Sequence, residues 1–327
     1  MIDHVAGEIR NAKRVALFAH RNPDGDALGS LIAMDALLEI LGVETITFCI
    51  DPIPDIYSFL PRLSRFKRSF STQDLAQVDC VLTLDVAVGE RMNEEIWEWI
   101  QSSGLPVVNI DHHLTNSRFG IVNWVRPKKA ATAMMVYELF EHIGIELTPD
   151  AAIGIYTGIM TDTGHFSFKR TGAETFEMAA HLVRAGADPT QLKEKIYFSQ
   201  PERKVTLLGR IIDRLECDSN HGVAWTWSSL KDWEELGVST PDYEGIPDYA
   251  NIVKDVDLLL LFREIPNEPI KVNLRSKGDV DASAFAEAFG GGGHINAAGA
   301  TYAGTLEEAI KDVVASARLY LGNRQAG

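Results

Sequence analysis

Cysteine is scarce in this chain: Cys49, Cys80 and Cys217 are odd in number, far apart and without a Cys-x-x-Cys pair. That excludes a disulfide framework and a thiolate zinc site, and reads as reduced core thiols. Long apolar runs are lacking too. No stretch reaches the ~18–20 residues of a membrane helix, and the N-terminal MIDHVAGEIRNAKR carries no apolar signal core. A cytoplasmic protein without a membrane partner is the expectation. Positive charge is in deficit, with 31 Lys and Arg against 46 Asp and Glu and a formal charge of −15. Long nucleic acid is therefore an unfavourable ligand, because nonspecific binding needs many cations on many phosphates. A small phosphorylated ligand stays open, since a few local cations and bound metals reverse the field inside one cleft.

What is present is ordinary globular material without low-complexity tracts, and 327 residues are more than one core usually supports. Residues Val15–Ala19, Glu44–Ile50, Val81–Leu84 and Val107–Ile110 read as strands. Leu28–Leu41, Ala130–Gly144, Asp150–Thr161 and Gly172–Ala185 read as helices. Such alternation predicts a parallel α/β sheet. The charged stretch Thr190–Leu215 reads as one connecting helix. Strands at Gly222–Trp227, Val256–Phe262 and Ile270–Leu274, with helices at Asp281–Phe289 and Leu306–Leu321, then predict a smaller mixed α/β domain. The expected division is 1–189 for the first domain, 190–216 for the helical linker and 217–327 for the second.

The strongest signal is where acids and histidines fall relative to the apolar runs. The first strand runs into His20, Asp24 and Asp26, the third into Asp85, the fourth into Asp111, His112 and His113. Ligands of open parallel sheets bind beyond the carboxyl ends of the strands, so these clusters converge on one rim, and Asp162 in TGIMTDTG can reach it. Taken singly, Asp26 reads as a helix cap, Asp85 as an exposed loop carboxylate, Asp111 as a supporting or turn residue and Asp162 as a helix-end turn. Together, so many carboxylates would repel one another unless cations neutralised them. Carboxylate with imidazole suits Mn²⁺, with Mg²⁺, Co²⁺ or Fe²⁺ as alternatives, and the number of donors suits two ions about 3.5–4 Å apart. Gly25 and Gly29, near the start of the following helix, read as a source of backbone donors for an anion. In the second domain, the four-glycine run Gly290–Gly293 implies close approach of the backbone to a phosphate or base edge, or else a flexible helix stop.

These residues also resemble a known family. His20-x3-Asp24-x-Asp26-Ala-Leu-Gly-Ser, the lone Asp85, Asp111-His112-His113 followed by Asn116, and Thr161-Asp162-Thr-Gly resemble, in order, the four motifs of the DHH phosphoesterase superfamily. Gly290-Gly-Gly-Gly-His294 followed by Ala297-Ala298-Gly299 resembles the signature of the DHH-associated domain. Length and domain pairing look most like the nanoRNase and pAp-phosphatase branch.

The resemblance implies that His20, Asp24 and Asp85 hold one ion, that Asp26, Asp85, His112 and Asp162 hold the other, and that Asp85 bridges. It implies further that His113 faces the phosphate while Asp111 supports the histidines. Asn116, Arg275, Ser276, Gly291, Gly292, Gly293 and His294 would bind substrate. An Arg that many relatives carry near Ser167 is missing here. The implied activity is hydrolysis of short oligoribonucleotides (nanoRNA), or of 3′-phosphoadenosine 5′-phosphate (pAp) to AMP and phosphate, by a water that the ions acidify. A phosphodiesterase for cyclic di-AMP or linear di-adenylate, and a nucleotide sensor without turnover, are the alternatives, and assembly as a homodimer stays open.

Overall fold

The computed structural model describes residues 1–243 and 245–325, within two compact units, Met1–Ser199 and Gln200–Gly327. The first unit runs α1 (Ile2–Asn11), β1 (Arg14–Phe18), α2 (Gly25–Ile40), β2 (Glu44–Thr47), β3 (Cys80–Leu84), α3 (Glu94–Ser103), β4 (Val107–Asp111), β5 (Val122–Val125), α4 (Thr132–Ile143), α5 (Pro149–Asp162), α6 (Ala173–Arg184) and α7 (Pro189–Tyr197). Its strands are all parallel, in the order β2-β1-β3-β4-β5. Strands rich in Val and Leu, buried on both faces, are what such a sheet requires.

One face of the sheet packs on α2, α4 and α5 around Leu17, Leu82 and Ile110. The other packs on α3 around Phe18, Val81 and Ile96. Helix α2 is mostly apolar on every side, Asp26, Ser30 and Asp35 apart, and is buried from Gly25 to Leu38, as befits a helix enclosed between a sheet and two other helices. The half-polar VNWV of β5 escaped the sequence reading; as an edge strand it pairs with β4 alone.

The single helix expected over Thr190–Leu215 is corrected to two, α7 and α8 (Glu202–Asp213). Pro201 supplies no backbone N–H and pushes Gln200 away from helical backbone angles, so the helix cannot run through; Pro201 instead sits at the N-cap of α8.

The second unit continues with β6 (Glu216–Asp218), β7 (Val223–Ser228), α9 (Leu230–Leu236), α10 (Ile246–Ala250), β8 (Leu258–Arg263), β9 (Ile270–Ser276), α11 (Ala282–Glu287), β10 (Gly292–His294), β11 (Ala297–Tyr302) and α12 (Leu306–Gln325). Its sheet is ordered β10-β11-β9-β8-β7-β6, with only β7 and β8 parallel. Ile270, Val272 and Leu274 of β9 point into the core beneath α11 and α12. By strand alternation Lys271, Asn273 and Arg275 lie on the opposite face. Cys49 and Cys80 are buried as expected, whereas Cys217 is exposed. Among the described residues, no helix is long and apolar enough to cross a membrane.

Candidate metal centre

In the order β2-β1-β3-β4-β5 the chain reverses its direction of growth between β1 and β3, and the carboxyl ends of those two strands flank the crevice where doubly wound sheets bind ligands. His20 follows β1 and Asp85 follows β3, with His20 Nε2 3.5 Å from Asp85 Oδ2 and 3.7 Å from Asp24 Oδ1. One strand further along, His112 follows β4. Its Nε2 faces Asp162 Oδ2 at 3.2 Å, Asp85 Oδ1 at 3.6 Å and Asp26 Oδ2 at 3.9 Å. His20, Asp24 and Asp85 form one group of donors within 4.8 Å of one another, and Asp26, Asp85 and His112 form a second. Asp85 belongs to both. It is buried rather than an exposed loop carboxylate, and the turn after β3 holds it at φ 61°, a conformation unusual for a residue with a side chain.

Each histidine is oriented through its other nitrogen. His20 Nδ1 lies 2.9 Å from the Arg21 carbonyl and His112 Nδ1 3.2 Å from the Lys129 carbonyl. A carbonyl only accepts, so Nδ1 carries the hydrogen in both rings, and a neutral ring aims the Nε2 lone pair at the carboxylates. His113 Nδ1 donates to Asp111 Oδ1 at 2.8 Å. Asp111 is held in turn by Asn116 Nδ2 at 2.6 Å, and Asn116 leans on Asn109, whose amide donates to Thr83 Oγ1 and the Val86 carbonyl. Asn116, expected at the substrate, is thus placed on Asp111.

The carboxylates have backbone supports that revise the single-residue readings. The cap of α2 is Asp24, not Asp26: its Oδ1 accepts from the Asp26 and Ala27 N–H groups at 3.0 Å. Asp26 instead caps a different helix, accepting from the N–H groups of Thr132 and Ala133 at 2.6 and 2.8 Å at the start of α4. Thr132 Oγ1 donates to Asp85 Oδ1 at 2.9 Å. Thr132, Lys129 and Asn109 carry no sequence signal for these roles, because their partners are distant in the chain.

Asp162 arrives by helix packing. A Cβ on Gly29 of α2 would lie 2.1 Å from the Gly154 carbonyl oxygen of α5, and one on Gly154 would lie 2.7 Å from the Gly29 oxygen. Only hydrogen fits at this crossing. The glycines near the start of α2, read as anion donors, serve this close approach; Gly25 faces Thr161 in the same contact. The spacing Gly25-x3-Gly29 against Gly154-x3-Gly158 is the signal that could have shown it.

The charges fit a cation. Burial, with the charges of Asp85 and Asp162 added, pushes Asp26 well above the ordinary carboxylate range, and burial pushes Asp162 up as well. Burial opposes charge on His112, but the hydrogen bond and charge of Asp162, with Asp85 and Asp26, outweigh it and raise its pKa. Burial would likewise raise Asp85, yet His20, His113 and His112 hold it low. Imidazole lone pairs and carboxylate oxygens facing one another at 3.2–3.9 Å repel unless a proton or a metal ion stands between them. Nitrogen and oxygen donors in two groups sharing one carboxylate, each histidine fixed through Nδ1, are a donor set that fits divalent ions.

In the second unit Arg275 Nε donates to Asp248 Oδ1 at 2.6 Å. Ser276 is buried, and its hydroxyl lies 2.6 Å from the Val280 carbonyl and 3.0 Å from that of Ile295, which places it in the fold rather than on a ligand. The glycine run is not a flexible stop: Gly292 begins strand β10, paired with Gly299, and His294 ends it. Close approach is indeed what it serves, but to protein, for a Cβ on Gly291 would lie 2.2 Å from the Gly299 oxygen and one on Gly293, at φ 150°, 2.6 Å from that of Ala297.

Residues 14–159 match the family model described as the DHH family, N-terminal domain, and residues 234–323 match the DHHA1 domain. The chain is 33% identical to the bifunctional oligoribonuclease and PAP phosphatase NrnA of Thermus thermophilus, over 93% of its own length and 89% of that protein's. An exopolyphosphatase-related protein from Bacteroides fragilis has the same fold, with a TM-score of 0.92 at 26% identity over 98% of this chain and 96% of that one. The fold also extends to RecJ of Thermus thermophilus, solved in complex with Mn²⁺, with a TM-score of 0.59 at 13% identity over 98% of this chain and 55% of that one.

Proposed function

The chain belongs to the DHH phosphoesterase family, and from that premise we propose that it hydrolyses short oligoribonucleotides and pAp with two divalent ions, Mn²⁺ by preference. The observation that carries the reading is the pair of donor groups sharing Asp85, one with His20 and Asp24, the other with Asp26 and His112, beside Asp162. The similarity to a relative named for both activities supports the substrate class, and the charge of −15 favours short substrates over long ones.

When bound, divalent ions supply Lewis acidity toward phosphoryl oxygens and acidify water. The protein's part is orientation. His20 and His112 present Nε2 because carbonyls hold Nδ1, and Asp26 is kept in place by two N–H groups at the start of α4. His113, about a quarter exposed, keeps its Nδ1 proton toward Asp111 and offers Nε2 to the leaving oxygen. Within the second unit, the guanidinium fork of Arg275 suits a phosphate.

Asp85→Asn tests this. Asn tolerates the left-handed backbone at that position, so the fold is retained while the shared carboxylate charge is lost. With Mn²⁺, a ribodinucleotide, pAp and a linear di-adenylate resolved by chromatography, the wild type is expected to release mononucleotides, and phosphate from pAp, while D85N is inert. Full activity in a folded D85N, or binding without turnover by the wild type, would overturn the proposal.

A further inference from the structure

His20 reaches the metal centre from the loop between β1 and α2. Its ring is oriented by the Arg21 carbonyl, which accepts from Nδ1 at 2.9 Å. That carbonyl belongs to the peptide joining Arg21 to Asn22, and the other polar group of the same peptide is the Asn22 N–H. The peptide is planar, with its C=O and N–H pointing in opposite directions, so whatever holds the N–H also aims the carbonyl. The Asn22 N–H donates to Asp51 Oδ2 at 2.9 Å, from a residue 29 positions away in the chain.

Asp51 stands on a fixed base. It lies on the segment leaving β2, where the Phe48 N–H donates to the Leu17 carbonyl, the Cys49 N–H to that of Lys67, and Arg68 Nη1 to the Cys49 carbonyl. The loop it holds is set against its local preference. Asn22 sits at φ 52°, in the left-handed region, immediately ahead of Pro23, and a residue before proline favours extended backbone. Such a conformation persists where its surroundings over-determine it. One restraint is the Asp51 carboxylate, and another is the Arg91 carbonyl, which accepts from the Arg21 N–H at 2.8 Å.

We propose that Asp51 is a positioning residue for His20, acting through the Arg21–Asn22 peptide. The carboxylate, the peptide N–H and C=O, and the His20 Nδ1–H form one chain of hydrogen bonds that ends with Nε2 facing Asp85 and Asp24. A carboxylate behind a metal-binding histidine fixes the ring and raises its basicity. Here one peptide group stands between the two, and the negative charge polarises the chain in the same sense. Asp51 belongs to neither donor group itself. The inference rests on the reading of His20, Asp24 and Asp85 as ligands of one ion.

The test is calorimetric titration of the full chain with Mn²⁺, for the wild type, Asp51→Ala, Asp51→Asn, His20→Gln and the double variant D51A/H20Q, with urea unfolding of each. The wild type is expected to bind two ions, and D51A to bind one of them about tenfold more weakly. D51N, which keeps an oxygen for the Asn22 N–H, should lose less. In the H20Q background D51A should cost nothing further, because residues that act as a unit are not additive. A folded D51A with wild-type affinity, a D51N as weak as D51A, or a D51A loss of equal size with and without His20 would overturn the role of Asp51. A wild type that takes up no Mn²⁺ would overturn the metal reading, and this role with it.

Discussion

Gly29→Ala is the sharpest probe of how the fold builds the metal centre. The added Cβ would sit 2.1 Å from the Gly154 oxygen, about 1.3 Å short of the 3.4 Å at which ordinary contact begins. The neighbour is helix backbone, so relief requires α2 and α5 to part rather than a side chain to turn. Overpacking of this kind costs about 1–3 kcal/mol, offset by the ~1 kcal/mol that alanine gains over glycine inside a helix. The net loss is about 2 kcal/mol at most, which a folded domain survives.

The effect on chemistry is larger. Asp26 and Gly29 lie on α2, Asp162 ends α5, and both carboxylates face His112 Nε2. Parting the helices by about 1 Å misplaces one acid against the other, and a displacement of that size costs about 100-fold in rate. Urea unfolding, Mn²⁺ titration and steady-state hydrolysis should show a folded protein with weakened metal binding and a rate lower by about two orders of magnitude. Gly7→Ala is the control: a Cβ on that helical glycine of α1 meets nothing within 4 Å, so it should stabilise by about 0.5–1 kcal/mol with activity intact. If G29A behaves like G7A, the packing account of the site is refuted.

Three further outcomes are expected. Thr132→Val removes the hydroxyl that donates to Asp85 Oδ1 and should lower Mn²⁺ affinity about tenfold, with Thr132→Ser restoring it; calorimetry that finds no difference counts against that hydroxyl. Chelation should lower the thermal midpoint, because Asp26 and Asp162 are raised by burial and by neighbouring acids, while ions at a hundred times their dissociation constant should stabilise by about 2.7 kcal/mol; an unchanged melting curve would speak against a metal site. In the second unit, burial opposes the charge of Asp232, but Arg214, the Ser229 N–H and Arg210 outweigh it and hold its carboxyl well below the ordinary value. Its folded pKa lies below its unfolded one, so its contribution is complete above about pH 4 and is lost as pH falls through the folded value. Asp232→Asn should cost about 3 kcal/mol near neutrality and flatten the acid limb of stability against pH; an unaltered acid limb would refute that assignment.

The candidate site was legible in the sequence because its donors sit at strand ends, where order along the chain already implies position in space. His20, Asp85 and His112 each follow a hydrophobic run, and in a parallel sheet the ends of such runs lie side by side. The helix break was legible too, in Pro201, but the charged helical pattern on either side masked it. Contacts between residues distant in the chain were not legible. That Asp26 caps α4 and that Thr132 holds Asp85 depend on partners 47 to 107 positions away, which no local pattern encodes.

By itself the amino-acid sequence determined the alternation of strand and helix, the acidic and imidazole groups at the strand ends and the glycines where backbones meet, because periodicity, residue type and spacing are local properties. Tertiary structure alone decided which nitrogen of each histidine is presented, which carboxylate caps which helix, and that Ser276 and the glycines of β10 serve the fold at close quarters. Those outcomes depend on hydrogen bonds and packing between segments far apart in the chain, which exist only once the chain has folded.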